Sequence, residues 1–203
     1  MSEPGNIGGF RPRTYRTDGG GPDFGRMIEA LRRVQEGITA ADAPEAVVTE
    51  IADMLEKIAA AAETYEVDEH AMIAGRRSDL IGRGQALIPP LEYDEWDEQH
   101  VVVRLTMGRY YLGANGAAHG GVIPLVFDEV LGRLANTGRP VSRTAYLHVN
   151  YRSITPIGAP LRITGTVDRI EGRKRFVTAT LHHGDTLCAD GEALFVALNP
   201  GQP

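Results

Sequence analysis

Residues 122–136, VIPLVFDEVLGRLAN, are apolar nearly all the way round at helical spacing, interrupted by Asp128, Glu129 and Arg133. A helix of that composition holds only when buried, so the rest of the fold must wrap it. The flanking sequence supplies the wrapping. Val101, Val103, Leu105 and Met107 alternate with His100, Val102, Arg104 and Thr106, the period of a strand. Four more strand-like stretches, near 143–151, 161–170, 175–182 and 186–198, are divided by the turn signals TPIGAP, EGRK and HHGD. One buried helix among strands with short connections predicts an α+β domain at 95–203, an antiparallel sheet wrapped around a helix.

The first half reads differently. Residues 1–22 hold six glycines and three prolines with few apolar side chains, and are expected to form a flexible arm. Residues 23–94 read as a helical extension. Asp23 stands at an N-cap position before Phe24, Met27, Ile28, Leu31 and Val34, and Gly37 is expected to end that helix. A second helix is predicted with Asp42 as its cap and Pro44 in its first turn. Its apolar stripe is Val47, Ile51, Met54, Leu55, Ile58, Ala62 and Tyr65, and a shorter helical piece is expected at 69–73.

Charge is unevenly spread. Residues 1–95 carry 10 basic against 18 acidic side chains, and residues 96–203 carry 11 against 9. The acidic first half argues against a nucleic-acid-binding head, because phosphate contacts dominate such binding. No apolar run is long enough to span a bilayer, and the start MSEPGNIGGFRPR lacks the apolar segment of a secretory signal. The single cysteine, Cys188, cannot form an internal disulfide, and no Cys/His spacing suggests a metal. A cytoplasmic protein without a metal is expected.

Chemistry concentrates where the buried helix begins. His119-Gly120-Gly121 precedes it, and a helix start presents backbone N–H groups able to stabilise a carbonyl oxygen gathering negative charge. Two glycines let a substrate approach that backbone closely. Asp128, flanked by Val126, Phe127, Val130 and Leu131, is expected to be poorly solvated, which suits proton transfer. Gly121 and Asp128 share a face of the helix but lie roughly 10 Å apart along its axis. One carbonyl therefore cannot reach both in the same chain. Two antiparallel copies of the helix across a two-fold axis would bring Gly121 of one to Asp128 of the other.

Four segments in order, HGGVIPLVFDE, TAYLHVNYRSITPIG, EGRKRFVTATL and CADGEALFVALNP, resemble the hotdog-fold acyl-CoA thioesterases over about residues 95–200. The resemblance is to the phenylacetate-type branch and, within it, to the mammalian mitochondrial acyl-CoA thioesterases with an Asp/Thr site. It implies a hotdog fold and hydrolysis of an acyl-CoA thioester, with coenzyme A as part of the substrate and no separate cofactor. By the same resemblance His119, Gly120 and Gly121 form the oxyanion site. Asp128, nine residues after the histidine, is base or nucleophile, and Thr144, sixteen residues further on, orients water. Asn150 and Arg152, with Arg173 and Lys174 in the hairpin turn, are implied to hold coenzyme A, the basic groups meeting its phosphates.

The expected assembly is a homodimer or a dimer of dimers. The amphipathic extension, including Met27, Leu31, Ile51 and Leu55, is expected over the hotdog sheet or the acyl tunnel, or at an oligomer surface. Two other classes remain open at this stage. One is a non-catalytic acyl-CoA binder or sensor, and the other is a hotdog enoyl-CoA hydratase or dehydratase.

Overall fold

The computed structural model describes residues 17–199 and 201, which divide into two compact units, one ending at Gly84 and the other beginning at Gln85. Among the described residues no helix is long and apolar enough to cross a membrane.

The first unit contains helices α1 (Phe24–Ala40) and α2 (Glu45–Glu63) and a short 3-10 turn at Glu69–Ala71. Most of the arm expected at 1–22 lies outside the described residues. Its last part is tied down, because the buried Arg77 guanidinium donates to the carbonyls of Gly19 (2.6 Å) and Gly21 (3.4 Å) while forking onto Asp79. Both expected helices form, but their ends differ from the sequence reading. Asp23 does not cap α1; its carboxylate accepts from Arg26 Nε at 3.0 Å instead. Gly37 does not stop α1, which runs on to Ala40, since a helical glycine costs only about 1 kcal/mol. Asp42 does not cap α2 either, and extended Pro44 occupies that position.

The second unit is a six-stranded antiparallel sheet with one helix against it. Its strands are β1 (Leu91–Trp96), β2 (His100–Thr106), β5 (Ser142–Tyr151), β6 (Pro160–Glu171), β7 (Lys174–His183) and β8 (Thr186–Ala197). Two short strands, β3 (Leu112–Ala114) and β4 (Ala117–Ala118), form a separate hairpin before helix α3 (Val122–Asn136). The sheet order β1-β2-β6-β7-β8-β5 leaves β1 and β5 as edges. This is the hotdog arrangement that the resemblance implies. The strand domain begins before residue 95, because β1 starts at Leu91. Sequence alternation misses β1 because its pairing with β2 is offset between Tyr93 and Glu95, which breaks the period of two.

Helix α3 buries Ile123, Val126, Phe127, Val130, Leu131, Leu134 and Ala135 against Val101, Val103, Leu161, Ile163, Val177, Ala179, Leu181 and Phe195 of the strands. Each large side chain so buried stabilises by roughly 1.5–3 kcal/mol before the ordering entropy is counted. Two glycines set the close approach. A Cβ on Gly191 of β8 would stand 2.7 Å from the His148 carbonyl oxygen and 3.0 Å from Phe127, and one on Gly165 of β6 would stand 2.8 Å from Val101. At the far end of α3 the buried Arg175 donates to the Ala135 carbonyl (2.8 Å) and to Asn136 Oδ1 (3.1 Å). A cation there meets the negative end of the helix dipole. Burial, with Arg139 nearby, lowers the Arg175 pKa from the ordinary arginine value.

Gly191→Ala tests this packing. The added methyl meets backbone on one side and the Phe127 ring on the other, so the unfolding free energy should fall by about 1–3 kcal/mol. Urea titration followed by circular dichroism measures it.

Candidate active site

The turn before α3 is held from three directions. The β3–β4 hairpin reverses through Asn115 (φ 51°) and Gly116 (φ 76°), the Asn-Gly pair that a tight hairpin turn favours. From there the Ala118 N–H donates to the Thr155 carbonyl (2.8 Å) and the His119 N–H to the Tyr111 carbonyl (2.7 Å). The Val122 N–H then donates to the His119 carbonyl at 2.9 Å and opens the helix.

Both peptide planes of the His-Gly-Gly turn are fixed. His119 Nδ1 accepts the Gly121 N–H at 3.0 Å, and the Tyr151 phenol donates to the Gly120 carbonyl at 2.7 Å. The Gly120–Gly121 peptide is thus pinned at both ends, and the Gly121 N–H is occupied. That corrects the expectation that both glycine amides are free for a substrate oxygen. The preceding peptide has its carbonyl turned to Val122. In a trans peptide the N–H points the opposite way, so the Gly120 N–H faces away from the helix start. His119 acts here as an acceptor bracing the turn. Tyr151 is the residue that sequence reasoning missed; it sits on a strand among ordinary strand residues, and only the return of β5 past the turn reveals it.

Asp128 also differs from expectation. Its apolar neighbours are buried, but its own side chain is exposed in the single chain. The sheet covers one side of α3 and ends at the β5 edge, leaving a stripe that includes Gly121 and Asp128 uncovered. On that stripe the Thr144 hydroxyl donates to Asp128 Oδ1 at 2.7 Å. Thr144 lies beside a bulge in the β5–β8 pairing, between Thr144 and Tyr146, the kind of irregularity that re-aims a strand side chain.

The four side chains implied to hold coenzyme A do not meet in one chain. Asn150 donates to Asp190 Oδ1 at 2.8 Å, and the Arg152 guanidinium pairs with both oxygens of the same carboxylate. Arg173 and Lys174 lie in the β6–β7 turn, where Arg173 donates to the Ala197 carbonyl at 2.9 Å. Lys174 is paired with Val196 and Asn150 with Asp190 on the same strand, which separates the two pairs by roughly 20 Å at the usual strand rise. The hairpin turn closes one end of the sheet and β5 finishes at the other, so no local change of side-chain conformation joins them.

Residues 115–189 match the family model described as thioesterase superfamily. Mouse acyl-coenzyme A thioesterase THEM4 is 32% identical over 108 residues, 52% of this chain and 46% of that protein. The bovine protein of the same name is 33% identical over 106 residues, 51% of this chain and 44% of its own. The chain thus spans about half the length of these curated relatives. Among solved structures, a thioesterase superfamily protein superposes with a TM-score of 0.72 at 28% identity, covering 85% of this chain and 94% of its own. That coverage exceeds the sheet unit and takes in part of the helical one.

The Arg152–Asp190 contact makes a prediction about pH. Hydrogen bonds from Arg152 and then Asn150 hold the Asp190 carboxyl below the ordinary value of about 3.9. Its stabilising contribution is therefore complete above that value and is lost as pH falls through the lowered folded one. Asp190→Asn should make the acid-side fall of Tm shallower, as read by thermal scans across the acid range.

Proposed function

We propose that this protein hydrolyses acyl-CoA thioesters to the free acid and coenzyme A, as a homodimer or a dimer of dimers. The observation that carries the reading is the Thr144–Asp128 hydrogen bond on the same open stripe of α3 as the His-Gly-Gly turn. The match to the thioesterase superfamily and the names of the THEM4 relatives support the reaction class.

The hydrogen bonds support a role for each group. The Thr144 hydroxyl spends its proton on Asp128 Oδ1, so its oxygen lone pair is left to accept from a water molecule. Asp128, through its other oxygen, takes a proton from that water as the water oxygen attacks the thioester carbon. Negative charge gathers on the carbonyl oxygen, where the Gly120 N–H and the positive end of α3 stabilise it. The tetrahedral centre then collapses, the carbon–sulfur bond breaks, and the proton held by Asp128 passes to the leaving thiolate.

On this reading the two halves of the site come from different chains. Gly120 and Asp128 of one helix are too far apart for one carbonyl, whereas antiparallel α3 stripes across a two-fold axis bring them together. The open β5 edge gives a second copy a strand to pair with. Of the implied coenzyme A contacts, Arg173 and Lys174 supply the more available charge, because Arg152 is already matched by Asp190. A cytoplasmic location and the absence of any bound cofactor belong to the same reading.

The test is free-thiol release from a panel of acyl-CoAs, short to long and aromatic. Asp128→Asn should lower kcat by roughly a hundredfold or more, the scale of losing a general base. Tyr151→Phe frees one end of the pinned peptide, and should lower kcat by roughly tenfold with little change in KM, less than the ~10²–10³ of deleting an oxyanion donor. Binding without turnover by the wild type would replace hydrolysis with the acyl-CoA sensor reading. Full activity in a monomer would remove the shared site.

A further inference from the structure

Helix α2 has no buried residue along its 19-residue length. Yet Val47, Ile51, Met54 and Ile58 recur at spacings of four, three and four, the seam of a coiled coil, with Ala61 and Tyr65 continuing the interval. Met54 is 47% exposed and Ile58 64% exposed. Helix α1 repeats the pattern in Met27, Leu31, Val34 and Ile38, all exposed. On α2 only Ile51 of the four seam residues is half-buried within the chain, so exposed Val47, Met54 and Ile58 call for a cover.

The residues flanking the seam say what covers it. On one side lie Val48, Leu55 and Ala62, and on the other Glu50, Lys57 and Thr64. Consider two copies of α2 side by side. In a parallel pair, the acidic and basic flanks face apolar side chains. In an antiparallel pair centred on the whole seam, Lys57 meets Lys57 of the copy. Shifted by one heptad, Val47 packs opposite Ile58 of the copy and Ile51 opposite Met54. Glu50 then faces Lys57 on one flank, twice by symmetry, while Val48 faces Leu55 on the other. Charge and apolar pairing are satisfied together in this register alone.

We propose that α2 is a self-association element, which pairs antiparallel with α2 of a second copy in the register Val47–Ile58 and Ile51–Met54. Its polar outer face, with Asp53, Glu56 and Glu63, stays in solvent. Glu50 and Lys57 favour this direction and this partner, since a copy of the same helix offers the complementary charges at that spacing.

Cysteine cross-linking of the full chain tests the register. The native Cys188 is fully buried and does not compete. In Val47→Cys/Ile58→Cys the two thiols of one chain lie about 16 Å apart along the helix, too far to join each other. Under oxidised glutathione the double variant should give a disulfide-linked dimer, whereas Val47→Cys and Ile58→Cys each alone should not. Adding Glu50→Lys should cut the linked fraction severalfold, and adding Lys57→Glu to that should restore it. Absence of the linked dimer, equal linking by the single variants, or failure of the charge swap to rescue overturns the proposal. The readout does not depend on thioester hydrolysis, so the two readings fail separately.

Discussion

Everything in the sheet unit depends on how closely α3 lies against the strands. The apolar side of the helix fills the concave face of the sheet, and Gly165 and Gly191 remove the side chains that would hold it off. Burial on one side fixes what remains on the other. Because the sheet ends at β5, the helix keeps one open stripe, and the polar groups of the candidate site lie along it. The same packing anchors both helix ends, through the pinned His-Gly-Gly turn at the start and the buried Arg175 at the finish.

The fold was largely legible in the sequence, for identifiable reasons. An apolar helix bounded by a glycine-rich turn, followed by strands with clear alternation and charged hairpins, leaves few arrangements other than a sheet around a helix. β1 was not legible, since its offset at Asp94 breaks the alternation that would mark it. Nor were the helix ends in the first unit, where Asp23 satisfies Arg26 instead of the backbone and Pro44 takes the place expected for Asp42. Side-chain caps are short-range alternatives of similar energy, and local sequence does not choose between them.

The candidate site was legible in its membership and less so in its arrangement. The resemblance implies His119, Asp128 and Thr144, and the fold brings Thr144 to Asp128 on one stripe. Spacing does not reveal that the Gly121 amide is taken by His119, because that depends on an imidazole folding back two residues. It does not reveal Tyr151, whose partner is thirty-one residues away. The exposure of Asp128 was misread for a plainer reason. Its apolar neighbours turn toward the sheet and are covered, while Asp128 itself faces the open stripe.

The bulge beside Thr144 carries a consequence for how such a site is gained or lost. Downstream of it Leu147 and Val149 pack inward, in step with β8, and upstream Ser142 is fixed by Asn136. The extra residue, Ala145, lets both ends keep their places while Thr144 turns to Asp128. Removing that one alanine would leave the core and the hairpins in register and present a different side chain to the carboxylate. The alignment of Thr144 with Asp128 thus rests on one extra residue in an edge strand. A one-residue change of length at this bulge therefore bears on the candidate site more directly than on the buried core.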